Sequence, residues 1–206
     1  MLFRSLRGAE SDGDEDFVVS HCRAAGLAVF TRRFQTEAIA SDRGISIQMA
    51  ARELRYDWFK SLAAERGCDI IATAHHLTDQ AETMLMNLVH GHGLPGMCGI
   101  PVRNGNIIRP LLFATRAELE SFARSEGIRW REDSSNFTSD YQRNFIRHEV
   151  MPNLREINPS LEETVSFTAE KLSGAFELVA LGLESLAPGI RNALDRKSTR
   201  LNSSHS

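Results

Sequence analysis

Cysteine is scarce in this chain and scattered. Cys22, Cys68 and Cys98 are too few for a disulfide framework and too far apart for a CxxC metal or redox site, which points to a reducing compartment. Long apolar runs are missing too. Nothing reaches the roughly 18–20 residues that cross a membrane, and Met1-Leu2-Phe3-Arg4 opens no signal peptide, so no membrane partner and a cytoplasmic location are expected. Charge of one sign does not dominate: 24 Lys and Arg stand against 27 Asp and Glu, so composition does not announce a nucleic-acid binder and any basic surface must be local. Internal repeats are absent. What remains is ordinary globular material, 206 residues with 42% hydrophobic, enough for one domain or one domain plus part of another.

Helical and extended patterns alternate along the first half. Ser11 and an acidic turn precede Phe17, Val18, Cys22 and Ala25 at helical spacing, with Gly26 as the stop. "LAVFTRRF" (27–34) reads as a strand. Ser46 opens a helix with Ile47, Ala50, Ala51, Leu54, Trp58 and Leu62 on one face, ended by Gly67. "CDIIATA" (68–74) is a continuous apolar run, as in a strand covered on both faces of a parallel sheet. A third helix carries Ala81, Met84, Leu85, Leu88 and Val89, and the alternation predicts a doubly wound α/β domain. "GHGLPG" (91–96) reads as a loop and "NIIRPLL" (106–112) as extended. Thr115 and Glu118 form a capping box for a helix ending before Gly127. A polar loop and a basic helix fill 130–154, and a long helix runs from Pro159 to about Leu186. Residues 187–206 are expected to be a disordered tail. Its end, "DRKSTRLNSSHS" (195–206), matches one reading frame of a common sequencing-library adapter, with a native polar tail as the alternative.

Chemistry concentrates in "IATAHHLTDQAET" (71–83). In open parallel sheets ligands bind beyond the carboxyl ends of strands, and His75 and His76 lie at such an end. With a helix starting near Asp79, Asp79 and Glu82 share one face of its first turn, where two carboxylates can hold a divalent cation, position an amine or accept a proton. The helix N-terminus nearby favours phosphate. Two plainer readings compete: Asp-x-x-Glu is a capping box in its own right, and a histidine at a strand end can simply satisfy a carbonyl. A metal site from His75, His76, His90, His92 and Cys98 matches no standard zinc spacing.

"IATAHHLTDQAETMLMNLVHGHGLPGMCGI" closely resembles the signature of the tRNA(Ile)-lysidine synthetases, of the PP-loop ATP pyrophosphatase superfamily. "LRGAESDGDEDFV", "SIQMAARELRYDWF", "IIRPLL", "WREDSSN", "YQRNFIRHEVMPNL" and "EINPS" follow the same family in the same order, over roughly residues 5 to 175. The resemblance implies a PP-loop (adenine nucleotide alpha hydrolase-like) sheet, N-terminally truncated, in residues 1–126. A helical linker, or the start of a following domain, is implied in 127–186.

It also implies a reaction. ATP adenylates the C2 carbonyl oxygen of the wobble cytidine in the isoleucine tRNA with a CAU anticodon. The amine of L-lysine then displaces AMP to give lysidine. ATP is the co-substrate, Mg2+ the implied metal, and a homodimer is left open. His75, His76, Asp79 and Glu82 fall on the family's catalytic HHxDDxxET block, with Asp79 and Glu82 as magnesium candidates. Arg52, Arg55, Arg109, Arg143, Asn144 and Arg147 are candidates for tRNA or phosphate contact, and Asp133 and Asn136 for the substrate loop. A solvated basic stripe or a capping turn would explain several of them as well. Two departures stand out: Thr78 replaces the first carboxylate of the family pair, and the SGGxDS phosphate loop is absent, so this chain alone is expected to be inactive. The rivals are a tRNA-thiolating enzyme of the same superfamily and a non-catalytic RNA-binding remnant.

Overall fold

The computed structural model describes residues 2–4, 9–131 and 141–203, with side chains for 13–131 and 142–186. Asp133 and Asn136 lie outside the described residues. Two compact units are present. One is Met1–Thr73 with Arg103–Ile108, the other Ala74–Val102 with Arg109–Ser206.

The first unit contains β1 (Leu2–Arg4), α1 (Ala9–Ala24), β2 (Thr31–Arg33), α2 (Thr36–Arg43), α3 (Ile47–Arg66), β3 (Ile71–Ala72), β4 (Arg103–Asn104) and β5 (Ile107–Ile108). Helix α3 begins and ends where its sequence dictates. Ser46 Oγ accepts the Met49 N–H at 3.2 Å, and Gly67, at φ 65°, closes the helix as Cys68 N donates to Ala63 O at 2.8 Å. Its inner face supplies Ala63 to a core with Ile71 and Ile107, flanked by Tyr56 and Phe59.

The α/β class holds, and the sheet consists of short pieces. β1 pairs parallel with β2, β3 pairs parallel with β5, and β4 pairs antiparallel with β5. Each expected strand is trimmed. The 27–34 run keeps only β2, whose side chains are exposed. In the 68–74 run Ile71 is buried while Ile70 is exposed, so burial on both faces is not seen. The 106–112 stretch stops at Ile108, because Pro110 has no N–H for a ladder and the chain turns there. The β4–β5 hairpin and α2 are elements the apolar pattern did not announce. Gly105, at φ 60°, makes the hairpin's two-residue turn.

The second unit contains α4 (Leu77–Val89), α5 (Gly93–Met97), α6 (Arg116–Ser125), α7 (Tyr141–Phe145), a π-helical turn (Ile146–Val150), α8 (Met151–Ile157) and α9 (Leu161–Ser203). Its core joins Ala81, Ile146, Met151 and Leu161, packed by Leu85, Met86, Val150, Leu154 and Val165. The unit boundary therefore differs from the expected division at residue 126: the apolar face of α4 is completed by residues 146–165, which ties it to the later helices. The "GHGLPG" loop holds α5, and the chain after it is clamped to α4. Gln80 Oε1 accepts the Ile100 N–H at 2.5 Å, and a Cβ on Gly99 (φ +68°) would lie 2.6 Å from Gln80 Nε2. The tail expected from residue 187 is instead helical backbone to Ser203. No proline or glycine after Gly189 interrupts it. Among the described residues no helix is long and apolar enough to cross a membrane.

Candidate active site

Helix α4 starts two residues earlier than the sequence suggested, and this changes the capping frame. His76 is the N-cap, in extended conformation, and Asp79 occupies the third helical position. Asp79 N donates to His76 Nδ1 at 3.3 Å, and His76 N donates to Asp79 Oδ2 at 3.0 Å. The two residues thus form a capping box, with histidine in the place usually held by serine or threonine. An Nδ1 that accepts the Asp79 amide proton carries none of its own, so the neutral ring bears its proton on Nε2. The 3.5 Å separation of His76 Nδ1 from Asp79 Oδ2 is then a consequence of the cap and not an ion pair. His75, the preceding residue, is half-buried.

Thr78 stands where the family pattern has a carboxylate, and it has a structural use. Buried at 6% exposure, its Oγ1 accepts the Arg116 N–H at 3.2 Å, which ties the first turn of α6 to the first turn of α4. Helix α6 is independently capped. Thr115 Oγ1 accepts from Glu118 N, and the Glu118 carboxylate accepts from Thr115 N. These bonds hold the Glu118 carboxyl below its ordinary range, the backbone bond from Thr115 first.

One turn along α4, Glu82 is completely buried. Both of its oxygens are taken by one guanidinium: Arg147 Nε donates to Oε1 at 2.7 Å and Nη2 to Oε2 at 2.9 Å. Arg143 Nε lies 3.6 Å from Oε2, and Arg143 Nη2 donates to Thr83 Oγ1 at 3.0 Å. The hydrogen bond to Glu82 raises the Arg147 pKa above its ordinary value. Arg147 Nη2 also reaches within 3.9 Å of Asp79 Oδ1. A carboxylate buried and doubly bonded in this way does not fit as a magnesium ligand, and Asp79 has one oxygen engaged in the cap. Joint coordination of Mg2+ by Asp79 and Glu82, expected from their spacing, is not what this geometry supports. Among the described residues no group of three His, Cys, Asp or Glu side chains is arranged to hold a metal.

His76, Asp79, Glu82, Arg143 and Arg147 are therefore brought together, a grouping across two helices that spacing along either one did not give. The others are placed elsewhere. Arg109 is buried at 6% exposure with Nη1 bonded to Pro101 O at 2.6 Å, so it holds the loop before β4. Arg52 and Arg55 lie on α3 in the first unit, Arg52 over the Tyr56 ring at 5.1 Å. Asn144 is half-buried on α7. A cleft of about 790 Å³ opens beside the Glu82–Arg147 pair, lined among others by Thr78, Arg116, His148, Arg155 and Glu162. Sequence reading missed Gln80, Thr83 and the Arg155–Glu162 pair, whose shortest contact is 2.5 Å. These are contacts between separate segments of the chain or across a turn, and no spacing in the sequence announced them.

The chain is 48% identical over 170 residues to a tRNA(Ile)-lysidine synthase of Porphyromonas gingivalis, covering 82% of this chain and 37% of that protein. It is 42% identical to the proteins of the same name from Parabacteroides distasonis, covering 94% of this chain and 44% of that protein, and Chlorobaculum tepidum, covering 90% and 57%. The chain thus spans about two fifths to three fifths of the length of these curated relatives. In fold it is similar to the U34-tRNA thiolase NcsA from Methanococcus maripaludis with its [4Fe-4S] cluster. The TM-score is 0.64 at 17% identity, covering 82% of this chain and 60% of that one. Residues 4–154 match the family described as the PP-loop domain, and with most of its length so matched the chain belongs to the PP-loop family.

Proposed function

We propose that this chain is the catalytic part of an enzyme that joins lysine to the wobble cytidine of the isoleucine tRNA with a CAU anticodon. ATP is the co-substrate, and the cytoplasm is where that tRNA is met. The C2 carbonyl oxygen of the cytidine attacks the α-phosphorus and pyrophosphate leaves. The lysine amine then attacks C2, loses a proton, and AMP departs. The observation that carries this reading is the cluster at the start of α4, where His76, Asp79 and the Arg147-bound Glu82 converge, in a chain resembling proteins named for that reaction.

The roles follow from what each group has available. His76 presents its Nε2–H, and Asp79 has a second oxygen for the incoming ammonium, so these two, with His75, would meet substrate. Arg143 and Asn144 are assigned to an anionic partner, the phosphates or the anticodon backbone, and Arg52 and Arg55 to the same kind of contact. Arg147, forked onto Glu82, and Arg109, buried on Pro101 O, instead have their guanidinium groups engaged within the protein. Asp133 and Asn136 are assigned to the substrate loop. Glu82 acts through Arg147 and not on substrate. Magnesium enters no step assigned to these residues.

The test uses the full-length protein with ATP, magnesium, lysine and the CAU-anticodon tRNA, reading lysidine by mass spectrometry of the nucleosides. Lysidine is expected, and its absence from an intact, folded preparation overturns the reading. Asp79→Asn should slow turnover by about 30- to 1000-fold, the range for losing a charge-specific contact of roughly 2–4 kcal/mol. Wild-type turnover in Asp79→Asn would leave Asp79 a helix cap and nothing more.

A further inference from the structure

Residues 141–157 are helical throughout, yet one turn is widened. Met151 N donates to Ile146 O, five residues back, in the π-turn of Ile146–Val150, and Pro152 follows in the first turn of α8. The cause is local. Proline lacks an N–H, and in a straight α-helix its ring collides with the carbonyl four residues earlier, here that of His148. Taking one extra residue into the preceding turn relieves the collision, and π-turns inside helices recur at functional sites for the same reason that they re-aim side chains.

The consequence reaches the cleft. Ile146 and Met151 are five positions apart, about 140° around an α-helix at 3.6 residues per turn, yet both are buried in one core cluster. The wider turn brings them to the same side, and Arg147, between them, closes on Glu82 with both bonds under 3.0 Å. A fork of this kind holds only within about 10–20° of its productive direction. Rewinding the turn with Met151 still in the core would rotate Arg147 by more than that. Pro152 itself is exposed and does not line the cleft.

We propose that Pro152 is a positioning residue: it enforces the π-turn that aims the Arg147 guanidinium at Glu82 and so sets the polar wall of the cleft. Only its effect on turnover rests on the ligase reading; its effect on the ion pair does not. The test is a double-mutant cycle in the full-length protein, Pro152→Ala against Arg147→Lys, read by urea unfolding. Arg147→Lys should reduce the folding equilibrium constant at least about tenfold in the parent and less than about threefold in the Pro152→Ala background, because there the fork is already broken. Effects that multiply independently within about twofold overturn the proposal. Pro152→Ser, which restores the same N–H, should repeat the Pro152→Ala result. Loss of the fold in both would also overturn it, since Pro152 would then hold the fold and not the pair. If lysidine forms, Pro152→Ala should lower kcat/KM about tenfold or more, and Arg147→Lys should then lower it less than about threefold further in that background. Absence of lysidine in the parent refutes the ligase reading and leaves the unfolding cycle to decide this one.

Discussion

Replacing Arg147 by methionine keeps the apolar stem of the side chain and removes the partner of a carboxylate with no access to water. Breaking a buried pair from one side typically costs about 3–5 kcal/mol, because the remaining charge is uncompensated. The structure narrows this range. Arg143 Nε remains 3.6 Å from Glu82 and recovers part of the loss. The expected destabilisation is therefore about 3 kcal/mol at pH 7, the low end of that range. Urea unfolding is the assay. The control is Arg43→Met, which removes a comparable 3.0 Å ion pair with Glu53 whose side chains are half exposed, for which about 0–1 kcal/mol is expected. Equal losses in the two variants would refute the reasoning.

Three further outcomes follow from other contacts. Gly99→Ala should cost well over the roughly 1–2 kcal/mol of the left-handed conformation alone, because its Cβ meets the Gln80 amide, whereas Gly105→Ala, with nothing within 4 Å, should cost that amount only; equal thermal shifts would contradict the clamp. Thr115→Ala should remove about 1 kcal/mol by uncapping α6, and an unchanged melting temperature would show that the cap adds nothing. The Glu118 carboxyl is held below its ordinary value of 4.5, so its contribution is present above that pH and is lost as pH falls through the lower folded value. In Glu118→Gln that acid-side loss should be smaller than in the parent, and identical acid limbs would count against it.

Local signals in this chain are strong where one turn decides the outcome. Ser46 and Gly67 bracket α3, and Thr115 and Glu118 open α6, because caps are satisfied by groups three or four residues away. Helical spacing was enough to set Asp79 and Glu82 on one helix face, and the order of motifs was enough for the PP-loop family. Strand lengths were not legible, since burial on a sheet depends on which neighbours cover it, and Ile70 and Ile71 look alike in sequence while only one is buried. The use of each charge was decided by tertiary structure as well. A carboxylate in a His-rich motif can bind metal, meet substrate or hold an arginine, and spacing does not separate these. Burial does: with water excluded and both oxygens bonded to Arg147, Glu82 has become part of the scaffold, while Asp79, three residues away at the helix mouth, keeps an oxygen near solvent.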